Sequence, residues 1–199
     1  MSTGNNNTIH AAHGRFARLA ALNEVIFHTK DLATLWHIQN KNTLYTTLKR
    51  YAARGFIHRI YPGLYAIKPF DELDPVLLGI KAIHRYTYLS TETILIRSGI
   101  IFQHIPATTY VSSIARRFSI GPHDYVCRQL SDHYLYNDCG IEFKAGILTA
   151  TPERAVADML HFNPRAYFDA PTRINWGAVA EIQRLIGYTI NTYDSSITK

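Results

Sequence analysis

The sequence predicts an α+β protein, with a small helix-rich N-terminal domain ahead of a mixed α+β domain. Three observations predict it. Apolar residues recur at helical spacing from Gly14 to Arg54. Two β-branched or aromatic runs then flank a Pro-Gly turn. Further along, strand-like runs over 107–113, 118–120, 125–130, 141–144 and 147–150 are bracketed by helical stretches. With 47% hydrophobic residues, both segments can bury a core.

Each element has a local reason. Residues 1–13 are polar and Asn-rich and read as a disordered tail. Phe16, Leu19, Ala20 and Leu22, continuing into Val25, Ile26 and Phe27, give a first helix. Thr29 is placed to cap a second, with Leu32, Leu35 and Trp36 on one side. Gln39 to Asn42 is a polar break. A third helix runs from Asn42 to Arg54, and Gly55 supplies its C′ residue. Phe56 to Ile60 and Leu64 to Ile67 read as strands joined by Tyr61-Pro62-Gly63, with Pro and Gly where a type II turn needs them. Helix, helix, helix, strand, turn, strand is the order of a winged helix-turn-helix, placed at 14–70.

Lys68-Pro69-Phe70-Asp71-Glu72 breaks the pattern, which puts a domain boundary near residue 70 and a second domain at 71–199. Asp74-Pro75 opens a helix with Pro at its first position. Ser90 is the expected cap of a short helix ending at Gly99. Thr151-Pro152-Glu153 starts a helix to about His161, and Asn175 caps a last one to about Ile186. With no run of 18 or more apolar residues, no membrane span is expected, and the polar start lacks the apolar region of a signal peptide. Cys127 and Cys139 fit no zinc spacing and read as ordinary thiols. The expected compartment is the cytoplasm.

Charge is unevenly placed. Residues 1–68 hold nine Lys/Arg and two acids, whereas residues 69–199 hold twelve and thirteen, so the whole excess behind the net +6 lies in the N-terminal third. Such a field suits a polyanionic partner. In the third helix, Leu44, Leu48 and Tyr51 form a stripe at i, i+4, i+7. The opposite face carries Asn42, Thr46, Lys49, Arg50 and Ala53, with Thr43 at its edge and no carboxylate. These side chains can read base edges or meet phosphates, and an acid among them would repel DNA. The hairpin brings His58, Arg59 and Tyr61 beside them, and Lys30 and Lys41 sit at the starts of the second and third helices. Lys30, Lys41, Asn42, Thr43, Thr46, Lys49, Arg50, His58, Arg59 and Tyr61 are therefore the expected DNA-contacting set. Arg15 and Arg18 are further candidates for phosphate.

The stretches His28-Thr29-Lys30-Asp31-Leu32-Ala33, Asn42 to Arg50, Arg54 to Arg59 and Tyr61 to Ile67 resemble the winged-helix domain of AbiEi-type antitoxins of type IV toxin–antitoxin systems. Downstream, Tyr88 to Leu95 with Gly99-Ile100, and Thr149 to Leu160, resemble that family's C-terminal domain. The resemblance implies a repressor of its own operon, paired with a nucleotidyltransferase-like toxin and needing its C-terminal domain for neutralisation. The expected partner is double-stranded DNA at its own operator, read as inverted repeats by a homodimer. No enzymatic activity, cofactor or metal is expected.

Two other readings stay open. Glu142-Phe143-Lys144, with Asp124, Asp132 and Asp138 nearby in sequence, is the residue set a Mg²⁺-dependent nuclease uses, although alternating charge on a wet strand face gives the same pattern. A protein-interaction module without DNA is the third. The ten histidines, His10 and His13 in or beside the tail among them, show no i, i+4 pair on a helix. Glu153, Arg154 and Asp158 read as structural, with Arg154 able to reach Asp158 one turn on.

Overall fold

The computed structural model describes residues 14–190. The tail expected at 1–13 lies outside them, with His10 and His13. The chain is α+β and divides into two compact units, residues 1–84 and 85–199.

In the first unit, residues 14–21 form helix α1. Strand β1 (Ile26–His28), α2 (Thr29–Leu35), α3 (Lys41–Ala53), β2 (His58–Tyr61), β3 (Leu64–Ala66) and α4 (Pro75–Ile83) follow. The three strands form an antiparallel sheet in the order β1-β3-β2. Ile26 and Phe27 are thus strand residues, not the end of a helix. Leu22 N–H already closes on the Leu19 carbonyl at 3.1 Å, Asn23 takes φ +52°, and the chain turns to pair Ile26 with Ala66. Thr29 is not the cap of α2. That place belongs to His28, whose ring nitrogen accepts from Lys30 N–H while Asp31 accepts from His28 N–H, a reciprocal capping box. Leu19, Phe27, Leu32, Trp36, Leu44, Leu48, Tyr51, Ile57 and Tyr65 make the core. The aromatic pair Trp36–Tyr51 lies at its centre, rings 5.3 Å apart.

The compact units part after His84, not near residue 70, because α4 packs against β1. Asp74 caps α4 through Leu77 N–H at 2.8 Å, and Pro75 fills the first position as expected. Lys81 pairs with Glu24 at 2.8 Å and His84 with Asp31 at 2.9 Å. The fall in charge near residue 70 therefore does not mark the packing boundary.

The second unit is a six-stranded mixed sheet in the order β6-β7-β5-β4-β9-β8. Its strands are β4 (Thr87–Leu89), β5 (Thr108–Ser112), β6 (Arg116–Ile120), β7 (His123–Gln129), β8 (Ile141–Lys144) and β9 (Ile147–Ala150). Helices α5 (Glu92–Arg97), α6 (Asp132–Leu135), α7 (Pro152–Phe162) and α8 (Trp176–Ile186) complete it. Thr151 and Asn175 cap α7 and α8 as the sequence predicts. Ser90 does not cap α5. The cap is Thr91, and the Ser90 hydroxyl donates instead to Asp158 at 2.7 Å. Strand β4 is buried along its whole length, so it lacks the polar alternation that would have shown it in the sequence.

Arg154 and Asp158, both fully buried, hold this unit together. Their 2.9 Å ion pair is completed by Tyr88, Ser90 and Tyr188 hydroxyls on Asp158, and by the Asn137 and Cys139 carbonyls on Arg154. Gly140 sits under the pair at φ +71°, where a Cβ would stand 2.8 Å from Arg154 Cβ. The free thiol of Cys127 is buried, which pushes it up to about 11, and Cys139 is half-buried.

Candidate nucleic-acid interface

Helix α3 is set by both ends. The Asn40 side chain accepts from Asn42 N–H at 2.9 Å and Thr43 N–H at 3.1 Å, which fixes where the helix starts. Gly55 at φ +71° ends it. Leu44, Leu48 and Tyr51 are buried, so their stripe anchors the helix and turns its opposite face outward. Lys41, Asn42, Thr43, Thr46, Lys49, Arg50 and Ala53 are all exposed there. No acid lies on α3, so the face is positive or neutral throughout.

The hairpin stands beside α3. Arg59 pairs with Tyr65 across β2 and β3, and the register slips between Arg59 and Tyr61. Gly63 takes φ +81° at the tip, as a type II turn requires. Its carbonyl accepts from Thr29 N–H at 2.9 Å, tying the hairpin tip to the start of α2. Between α3 and the hairpin runs a cleft of about 640 Å³, lined by Tyr45, Lys49, Ala52, Arg59, Pro62, Gly63 and Tyr65. Tyr45, Lys49 and Ala52 follow one another at i, i+4, i+7 and form the flank of α3 that faces the hairpin. Burial raises the Tyr65 hydroxyl above its ordinary range; Arg59 works against this and Tyr45 adds to it.

No family model matches this chain, and no curated protein matches it in sequence. Its fold has a solved counterpart. The RV2827C protein from Mycobacterium tuberculosis has a crystal structure similar to this one at a TM-score of 0.50 and 11% identity, over 88% of this chain and 71% of that one. At that identity the likeness concerns the fold alone.

The expected contact residues fall into two groups. Thr46, Lys49 and Arg50 share the exposed face of α3 with Lys41, Asn42 and Thr43, and Arg59 is exposed on the hairpin across the cleft from Lys49. His58 and Tyr61 are half-buried, and Lys30 is exposed in the first turn of α2. Sequence reasoning missed Tyr45, which is half-exposed and lines the cleft. Its spacing of four from Lys49 was the available signal.

The residues of the nuclease reading are not brought together. Glu142 and Lys144 pair with each other on edge strand β8, whereas Asp124 lies on β7 at the other side of the sheet. Among the described residues no group of three or more His, Cys, Asp or Glu is placed to hold a metal ion. No described helix is long and apolar enough to cross a membrane.

Proposed function

We propose that the first unit is a winged helix-turn-helix that binds double-stranded DNA sequence-specifically, with α3 in the major groove and the β2–β3 hairpin as the wing. One observation carries this reading: an acid-free, solvent-facing side of α3 bearing Asn42, Thr46, Lys49 and Arg50, flanked across a cleft by Arg59. Asn and Thr near the helix start suit base edges, and Lys and Arg further along suit phosphates. The resemblance to AbiEi-type antitoxins supplies the biological setting: an autoregulating repressor that acts on inverted repeats in its own operator as a homodimer. In that setting the second unit serves in neutralising a nucleotidyltransferase-like toxin.

The test is binding of the full chain to duplex DNA from upstream of its own gene, across a series of salt concentrations. Affinity falls steeply as salt rises, because each Lys or Arg on a phosphate releases a counterion. A flat salt response, or no binding at low salt, overturns the reading. Co-expression with the adjacent open reading frame tests the antitoxin setting separately: rescue of growth supports it, and no effect on a toxic neighbour removes it.

A further inference from the structure

The Glu142-Phe143-Lys144 motif has no part in DNA binding, and it lies on an open sheet edge. The six-stranded sheet ends at β8, which pairs with β9 alone among the described strands. Glu142, Phe143 and Lys144 are all exposed, Phe143 to 72%. An open edge is a template for a further strand, and the side chains along it decide which strand it accepts.

Backbone register shows which groups this edge offers. Ala145 at φ +49° and Gly146 at φ +80° make a two-residue hairpin turn, so Lys144 and Ile147 close it as a hydrogen-bonded pair. Alternation makes Glu142–Thr149 the next such pair. Thr151 N–H donates to the Gly140 carbonyl at 2.8 Å and continues the same parity. Phe143 faces Leu148 between them, in a pair without such bonds, so its N–H and C=O point away from β9 toward the open edge. Ile141 N–H points the same way but is already taken by the Asp138 carbonyl at 2.8 Å. Phe143 is thus the residue on which another strand centres.

We infer that β8 pairs antiparallel with β8 of a second copy of this chain, about a two-fold axis through Phe143. Charge selects the copy as the occupant. In that register the two Phe143 residues exchange a reciprocal pair of backbone bonds, and Glu142 of each copy stands opposite Lys144 of the other. Those charged pairs fall at positions without backbone bonds, where opposing side chains are closest. The segment Glu-Phe-Lys is therefore complementary to itself when run backwards. Within one chain Glu142 and Lys144 already pair with each other, so both lie on the face of the strand where the exchange takes place. The other end of the sheet differs. Strand β6 carries Arg116 and Arg117 and no acid, so two copies repel there. The same axis brings both Phe143 rings and both Leu148 side chains onto one face as an apolar strip. One strand from each copy is a small contact and makes a weak dimer. In its biological purpose the inference rests on the reading above, in which a homodimer acts on inverted repeats; the contact itself needs no DNA.

Sedimentation equilibrium of the full chain without DNA keeps the two readings apart. The mass rises from one copy towards two with a Kd between about 10 µM and 1 mM. Glu142→Lys alone, or Lys144→Glu alone, sets like charges opposite each other twice and weakens association roughly tenfold or more. An equimolar mixture of these two variants recovers association close to the parent's, as does the double variant Glu142→Lys/Lys144→Glu, because opposite charges face each other again. Both single variants melt as the parent does, since an exposed ion pair contributes little to the fold. A chain that stays monomeric at about 1 mM overturns the inference and leaves the edge to a strand of another protein or to none. A dimer insensitive to the charge reversals, or one weakened by them without recovery in the mixture, overturns it equally and puts the contact elsewhere. Absence of DNA binding in a chain that dimerises in this way counts against the DNA reading alone.

Discussion

Arg154 is the largest side chain in the structure with no exposed surface, and it shows how a charge is tolerated there. Burial opposes its charge, but Asp158 at 2.9 Å and the surrounding tyrosine hydroxyls hold it protonated. Tyr88 and Tyr188 are in turn pushed upward by burial and by Asp158, so they remain neutral donors. Asp158→Ala leaves a buried guanidinium uncompensated and costs about 3–5 kcal/mol of stability in urea unfolding. His28 supplies the pH-dependent case. Burial, and then the stacked His84 ring 4.0 Å away, lower its basicity, Lys30 in the same direction, while Asp31 pulls it back up. The unfolded chain therefore takes up this proton first as pH falls below about 6.5, and the stability present above that pH is lost as pH drops through the lowered folded value. NMR titration places the His28 midpoint below that of a free histidine, and His28→Asn, which can still cap α2, shrinks the stability difference between pH 7 and pH 5. On the proposed interface, Thr46→Ala costs roughly 1–3 kcal/mol on the preferred DNA site and little on random sequence. Lys49→Ala or Arg50→Ala weakens both and reduces the salt slope by about one. Equal losses on both DNAs for all three variants would place Thr46 on the backbone and not at a base edge.

At the scale of elements, what could be read in the sequence depended on how local the cause was. The end of α3 at Gly55, the Pro62-Gly63 turn and the caps Asp74, Thr151 and Asn175 all act within a few residues and were legible, whereas the Asn40 cap of α3 was read as part of a polar break. Strands β1 and β4 were not. Each is three residues long and lies where both faces are covered, so neither offers an alternation to detect. Ser90 was misread because its hydroxyl serves a carboxylate 68 residues away instead of a neighbouring amide. The position of α4 has a consequence for truncation. A fragment ending at residue 70 uncovers the face of β1 that α4 packs on, and loses the Lys81–Glu24 and His84–Asp31 pairs. A fragment ending at residue 84 therefore melts at a higher temperature than one ending at 70. Equal melting temperatures would show that α4 contributes nothing to the first unit. Gly140→Ala destabilises the second unit on two counts, the positive φ and the 2.8 Å approach to Arg154 Cβ.

At the scale of the molecule, the two units differ in kind. The first gathers Lys41, Lys49, Arg50 and Arg59 around one helix and one hairpin, and a fragment of residues 1–84 is expected to bind duplex DNA with the salt sensitivity of the full chain, more weakly if dimerisation resides elsewhere. Residues 85–199 are expected to bind none. Gel-shift titrations of both fragments at two salt concentrations check this, and affinity confined to residues 85–199 would reverse the assignment. The sequence by itself determined the α+β class, the charge asymmetry, the starts of α4, α7 and α8, and the glycine end and buried stripe of α3, because periodicity and capping act between residues a turn or less apart. Only the tertiary structure decided that α4 joins the first unit, that Tyr45 and Lys49 face Arg59 across a cleft, that Tyr88, Ser90 and Tyr188 close around the Arg154–Asp158 pair, and that Glu92 meets Arg128 on the sheet face. Each of those depends on contacts between residues distant in the chain, and such contacts follow from how whole faces pack and not from any local pattern.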